Sequence, residues 1–250
     1  MSDADATTTA ERPIAVVTGA AGGIGEAVVR RLLARPMFVV AIDADAERLA
    51  TAFGGGSTLL HPLVVDVGDA AAIDRAADDV ATALGLASIL ISCAGIFART
   101  PALEASEHVD RLLAVNLAGP VHLTRAFGRQ MKKRGRGRIV HVASIAATTG
   151  AATAAVYAAS KAGLVALARS HARELATFGI AVNAVLPGYC RTPMSEPEAG
   201  TLAKFVVPRI PLKRLAEPDE IAEVIEMLAL CDTPYLTGAT IEIDGGLHVG

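Results

Sequence analysis

The chain has 250 residues, a net charge of −3, 52% hydrophobic and 20% charged residues, a balance that suits one large α/β domain with a sizeable core. Its 23 Lys and Arg are scattered apart from KKRGRGR at 132–138, so the broad basic face that nucleic-acid binding needs is missing, and no apolar run reaches the roughly 18 residues of a membrane span. Three cysteines, Cys93, Cys190 and Cys231, without CxxC or metal-ligand spacing point to a reducing compartment, and a cytoplasmic location is expected.

The amino end, MSDADATTTAERP, is acidic and polar with no apolar signal segment, and residues 1–12 read as a loose tail. After it, apolar β-rich runs alternate with segments of helical period. The strand candidates are IAVVTG (14–19), FVVAID (38–43), LHPLVVDV (60–67), ASILISCAG (87–95), RIVHVAS (138–144), IAVNAVLPG (180–188) and ATIEID (239–244). Continuous apolar strands separated by helices predict a single doubly wound, Rossmann-type α/β domain over 13–250, with a seven-stranded parallel sheet flanked by helices. The basic cluster at 132–138 reads as a solvated helix end that leads into a strand. The least regular stretch follows IAVNAVLPG, is rich in proline and reads as an inserted lid at about 190–212.

Where the first strand runs into TGAAGGIGEAVVRRLL, Gly19, Gly23 and Gly25 leave the turn without side chains, and the helix that follows offers free N–H groups to a pyrophosphate. Asp43 ends the second strand. A carboxylate there accepts from both ribose hydroxyls of an adenosine and repels a 2′-phosphate, which favours NAD over NADP. Arg48 follows soon after and is expected to face solvent. Asp66 ends the third strand candidate, either as an acceptor for an adenine amino group or as a cap for the next helix. Ser144 ends the strand RIVHVAS at the sheet edge that holds ligands. Tyr157 and Lys161 are four positions apart in VYAASKAGLVALARSHARELA, so on a helix they project from one face, among small neighbours that let a ligand approach. A phenol titrates near pH 10, so a base near neutrality needs a shift of roughly 3 units, about 4 kcal/mol, of the sign an adjacent ammonium supplies. The six histidines lack paired spacing and read as surface or satisfied structural residues, and no metal site is expected.

Together, Gly19, Gly23, Gly25, Asn116, Ser144 and the Tyr157/Lys161 pair resemble the short-chain dehydrogenase/reductase family from about residue 13 to the carboxyl end. The resemblance implies NAD binding by Thr18, Gly19, Gly23, Ile24, Gly25, Asp43, Asp66, Val67, Ala94, Gly95, Asn116, Tyr157, Lys161, Pro187, Gly188 and Thr192. It implies that Ser144 positions a carbonyl or alcohol and that Tyr157 passes the proton. Lys161 would then lower the tyrosine pKa and hold the nicotinamide ribose, and Asn116 would bind a backbone carbonyl and a water on the proton route. A homotetramer is implied as well. The chain departs from the family in SCAGI, where Ser92 and Cys93 stand in place of a pair of asparagines, and in one extra residue before Thr192.

The expected activity is NAD(H)-dependent interconversion of a secondary alcohol and a ketone, with Ser144, Ile145, Tyr157, Tyr189 and Met194, joined by Ala146 and Phe97, lining the substrate pocket. Substrates from 3-hydroxyacyl thioesters to cyclic diols remain open, with Arg99, Arg191 and Lys204 either anchors for an anionic group or solvated charges. An NADPH-dependent 3-oxoacyl thioester reductase of the same family is the nearer alternative, and a non-catalytic NAD(H)-binding protein the more distant one.

Overall fold

The computed structural model describes residues 12–248, so residues 1–11 of the expected tail lie outside the described part. Seven strands form one sheet: β1 (Ile14–Thr18), β2 (Phe38–Asp43), β3 (Leu60–Val64), β4 (Ile89–Ser92), β5 (Gly137–Val142), β6 (Ile180–Pro187) and β7 (Thr240–Ile243). Their order is β3-β2-β1-β4-β5-β6-β7, and every neighbouring pair is parallel. β1 and β6 are buried along their whole lengths, as strands covered on both faces must be. β3 is shorter than the apolar run suggested and lies at the edge, where Pro62 costs no internal ladder bond.

Helices α1 (Gly23–Leu33), α2 (Ala46–Phe53) and α3 (Ala70–Ala83) link the first four strands; Asp45 and Asp69 cap the second and third of them. A long helical segment follows in three parts: α4 (Val109–Leu113), a π-helical turn at Ala114–Ala118, and α5 (Gly119–Arg134). Gly135, at φ 67°, ends α5 in the left-handed conformation that glycine accepts freely, and β5 begins two residues later. The basic cluster is therefore the helix end and strand start that its sequence suggests. After the short α6 (Ala146–Thr149) comes α7 (Ala155–Leu175), which carries Tyr157 and Lys161. The lid expected at 190–212 is a chain of short turns around α8 (Ala199–Thr201), and α9 (Pro218–Leu230) leads to β7. No helix among the described residues is long and apolar enough to cross a membrane.

Two apolar cores sandwich the sheet. Ile14, Val16, Leu90, Ile139 and Val182 pack towards Phe127 of α5 and Leu164 of α7, while Val17, Ile91, Val140 and Val185 pack towards Leu32 of α1 and Ile225 of α9. One carboxylate ties the second layer: Glu226, 7% exposed, accepts from Arg31 Nε and Arg35 Nε, both at 2.9 Å, and Arg31 reaches Asp219 as well. Burial opposes the charge on Glu226, yet the bonds from Arg35 and Arg31 hold its pKa below the ordinary value. A depressed carboxylate contributes stability above its unfolded pKa and loses it as pH falls through the folded one. Replacement of Glu226 by Gln is expected to cost about 2 kcal/mol in urea unfolding at pH 7, and the difference from the parent should shrink as pH falls below about 4.

Candidate active site

The sheet order reverses between β1 and β4, the point at which a doubly wound fold offers its crevice. The turn after β1 is built for close approach. Gly19 has φ 64°, and a Cβ on it would lie 2.7 Å from the Ala94 backbone, so the turn presses directly on the segment after β4. A Cβ on Gly25 would meet the Gly19 carbonyl at 2.0 Å, and one on Gly23 would meet Thr192 Cγ2 at 2.8 Å. The glycines are thus required by packing, and the first turn of α1 is left bare beside Thr192.

Asp43 closes this turn from β2: its Oδ2 accepts from Ala21 N at 2.9 Å and its Oδ1 from Asp45 N at 3.1 Å. Arg48 does not simply face solvent, since its Nη2 donates to Ala21 O at 3.0 Å and the guanidinium lies over the turn. Thr18 is fully buried and its hydroxyl accepts from Ala94 N, so it supports the turn from behind. Asp66 does not cap α3, which is the work of Asp69. Its carboxylate accepts from Gly68 N and forms a paired contact with both Nη atoms of Arg111, which hold it below the ordinary carboxylate pKa. Sequence reading missed Arg111, a helical cation with no local signal. Val67 is buried, and its carbonyl sits where a Cβ on Gly119 would fall. Ile24 is half-buried in the first turn of α1.

Asn116 sits in the π-helical turn, whose wider winding turns its amide inward. It is fully buried and clamps Ile96, accepting from the backbone N–H and donating to the carbonyl, both at 2.9 Å, with a further bond to Ser160 Oγ at 3.3 Å. This holds the segment Ala94, Gly95, Ile96 beside Lys161, whose Nζ would lie 3.3 Å from a Cβ on Gly95.

Lys161 is 4% exposed and donates to Val142 O at 3.0 Å; its pKa is pushed down to about 8 by burial. Tyr157, one turn earlier, has Lys161 Nζ 5.8 Å from its ring centroid and Phe97 edge-on at 5.2 Å. Burial raises the pKa of the phenol, and a hydrogen bond with Ser144 works against that rise. The Lys161 ammonium, close to the ring, is directed at the Val142 carbonyl. Ser144 Oγ also accepts from Ala146 N at 3.2 Å, which fixes the hydroxyl after β5. Cys93, beside Lys161, has its thiol pushed up to about 12 by burial and is no nucleophile.

Pro187 and Gly188 continue from β6: Pro187 O accepts from Ile145 N, and Gly188 N donates to Ile243 O at 2.9 Å. Thr192 is braced by Ser195, whose Oγ accepts from Thr192 N and donates to Cys190 O. On the substrate side, Ile145 is buried, while Tyr189 and Met194 are 39% and 49% exposed at the lid. The three candidate anchors are already partnered: Arg99 pairs with Glu198 of the lid and with Thr153, Arg191 with Glu217, and Lys204 lies over Phe205. A small cavity of about 80 Å³ beside Tyr189 is lined by Leu212, Ala216, Ile243 and Gly245, with Arg214 and Glu220. Among the described residues no cluster of three or more potential metal ligands occurs.

His141 corrects an expectation. It is fully buried on β5 with neither ring nitrogen bonded to protein, because a strand covered on both faces has no surface position to offer it.

The model of the family described as enoyl-(acyl carrier protein) reductase matches residues 19–248. A (3R)-3-hydroxyacyl-CoA dehydrogenase of Canis lupus familiaris is 36% identical over 94% of this chain and 96% of its own length. A 3-oxoacyl-[acyl-carrier-protein] reductase of Thermotoga maritima is 35% identical over 96% of this chain and 99% of its own. The crystal structure of a ribose-5-phosphate isomerase from Brucella melitensis 16M superimposes with a TM-score of 0.87 at 33% identity, covering 96% of this chain and 93% of that one.

Burying the Lys161 ammonium with one carbonyl partner is costly: a displacement from 10.5 to about 8 corresponds to about 3 kcal/mol against the charged form. The unfolded chain binds that proton more tightly, so the cost is present at neutral pH and disappears as pH rises past about 10. Lys161→Met is expected to stabilise the fold by about 2 kcal/mol at pH 7, after allowance for the lost bond to Val142, with the gain fading by pH 10.5 in urea titrations.

Proposed function

The chain belongs to the short-chain dehydrogenase/reductase family, an oxidoreductase family acting on CH–OH and keto groups, and on that premise we propose that it interconverts 3-hydroxyacyl and 3-oxoacyl thioesters with NAD(H). The observation that carries the reading is the convergence of Ser144, Tyr157 and Lys161 at the end of β5, next to the glycine turn after β1 that packs on the segment after β4. The cradle fits a dinucleotide. The first backbone N–H groups of α1, at Gly23 and Ile24, would hold a pyrophosphate, Asp43 would meet the adenosine ribose, and Pro187, Gly188 and Thr192 would line the far end. When bound, the nicotinamide accepts or supplies the hydride.

The remaining chemistry belongs to side chains. Ser144 holds the substrate oxygen and the Tyr157 hydroxyl in one hydrogen-bonded group, and Tyr157 exchanges the proton with that oxygen. Asn116 keeps the Ala94–Gly95–Ile96 backbone beside Lys161, and the Lys161 ammonium would donate to the cofactor ribose. Phe97 keeps water from one edge of the phenol. The apolar part of the substrate is accommodated beside Tyr189, whose phenol acts on Tyr157 and which lines the cavity bounded by Leu212 and Ile243.

NAD is preferred in this reading because both Asp43 oxygens face backbone N–H groups of the turn and present negative charge where a 2′-phosphate would lie. An NADPH-dependent 3-oxoacyl thioester reductase is the second reading, favoured by Arg48, whose guanidinium lies over the same turn. A homotetramer in a reducing cytoplasm completes the proposal, supported by three free cysteines and by exposed Leu113 and Val121 along α4 and α5.

Tyr157→Phe is expected to lower turnover of 3-oxoacyl thioesters by at least about 10²-fold while NADH binds as before, measured by absorbance at 340 nm and by titration followed through the fluorescence of NADH itself. Undiminished turnover in that variant removes the proton role. Equal or faster rates with NADPH than with NADH select the second reading.

A further inference from the structure

The turn after β3 carries an ion pair outside the catalytic group. Asp66 stands just past the carboxyl end of β3, whose last residue, Val64, is the register partner of Asp43 on β2. Arg111 comes from α4, 45 positions later in the chain, and meets Asp66 fork to fork: Nη2 donates to Oδ1 at 3.0 Å, and Nη1 lies 2.9 Å from Oδ2. The guanidinium rests on backbone. A Cβ on Gly68 would lie 2.5 Å from Arg111 Nη1 and 3.2 Å from Asp66 Oδ1, so any side chain there would push the arginine aside. The turn itself is pinned, since Val67 is buried with its carbonyl against Gly119 at the start of α5, and Gly68 N donates to Asp66 Oδ1 at 2.8 Å.

Of the two roles that the sequence allows Asp66, capping α3 is taken by Asp69, which leaves that of an acceptor. An ionised carboxylate has about four lone-pair directions. Oδ1 accepts from Gly68 N and Arg111 Nη2, and Oδ2 accepts from Arg111 Nη1, so one direction on Oδ2 stays open. The two side chains are 42% and 49% exposed, so that acceptor is within reach of a ligand. An ion pair this exposed adds little to stability. What a bidentate pair does add is a fixed carboxylate plane, where a lone aspartate on a turn would swing about its side-chain torsions.

We propose that Arg111 is a positioning residue for purine selection: by fixing the plane of Asp66 it aims the open lone pair of Oδ2 at the 6-amino group of the cofactor's adenine. An amino group there donates to Oδ2, whereas a 6-oxo oxygen meets a second acceptor and is repelled. Arg111 touches no cofactor in this scheme and acts through Asp66 alone. The inference rests on the dinucleotide reading above, and since the same adenine ends NADPH it holds for either choice of phosphate.

The rival role for Arg111 is bracing. α4 runs straight into the π-helical turn that carries Asn116, five positions after Arg111, so the ion pair also ties the catalytic segment to the turn after β3. Bracing acts on every dinucleotide alike, while purine selection acts on the ratio between two of them.

The test is equilibrium titration of the full chain with NADH and with its hypoxanthine analogue, which carries 6-oxo in place of 6-amino, followed through the fluorescence of the reduced nicotinamide that both share. The parent is expected to bind NADH about tenfold or more tightly than the analogue. Arg111→Met is expected to bring that ratio to within about threefold, mainly through weaker binding of NADH, and Arg111→Lys, which keeps a cation and loses the fork, to fall between the two. Gly68→Ala leaves Arg111 in the chain and displaces only its guanidinium, and it is expected to lower the ratio as well, so the result does not hang on the folding of one variant. In Asp66→Ala the ratio is expected to be lost already, with Arg111→Met changing it no further. A parental ratio in either Arg111→Met or Gly68→Ala, a further fall in the double variant, or a parent that binds both dinucleotides equally overturns the assignment and leaves the dinucleotide reading standing. A parent that binds neither dinucleotide overturns that reading, and this inference with it.

Discussion

A full positive charge buried without a carboxylate is the constraint around which this molecule is arranged. Lys161 is enclosed by α7, β5 and the segment after β4, and among the described residues its one hydrogen-bond acceptor is the Val142 carbonyl. No stability argument would put it there. The surroundings make sense as devices that keep this cation in place and leave its field unneutralised: the π-helical turn that swings Asn116 onto Ile96, the glycine at 95 that lets the chain pass, and the thiol of Cys93 that stays protonated. Burial likewise raises the pKa of the Tyr157 phenol, so the chain by itself does not favour the phenolate.

The sheet supplies the rigidity that makes the arrangement reproducible. Thr18 on β1 bonds Ala94 after β4, Gly19 packs on the same residue, and Gly25 packs on Gly19, so three contacts lock the switch point of the topology. By contrast the mouth is held by exposed pairs. Arg99 to Glu198 and Arg191 to Glu217 are both solvated, and exposed ion pairs are worth about 0–1 kcal/mol. The 190–212 segment is therefore held to the crevice far less firmly than the strands hold one another.

Much of this was legible in the chain itself, for physical reasons that can be named. Strands covered on both faces must be continuously apolar, so RIVHVAS and IAVNAVLPG declare a parallel sheet, and a helix puts Tyr157 and Lys161 on one face whatever surrounds it. Glycine at 19, 23 and 25 marks close approach because nothing else fits. What stayed hidden depends on partners remote in sequence. That the hydroxyl of Thr18 is used up behind the turn, that Arg111 reaches Asp66, that Arg48 lies over Ala21 and that Lys161 looks to Val142 are all set by which elements meet, and no local pattern encodes them. His141 was readable in part: a histidine in the middle of a buried strand has no route to solvent, and its position alone argued against a surface role.

The most direct measurement is the fate of the hydride. With a 3-oxoacyl thioester and NADH carrying deuterium at C4 of the nicotinamide, the account predicts deuterium at C3 of the hydroxyacyl product in one stereochemical sense and none in solvent. Product that carries no label, or label that appears in water, would contradict it.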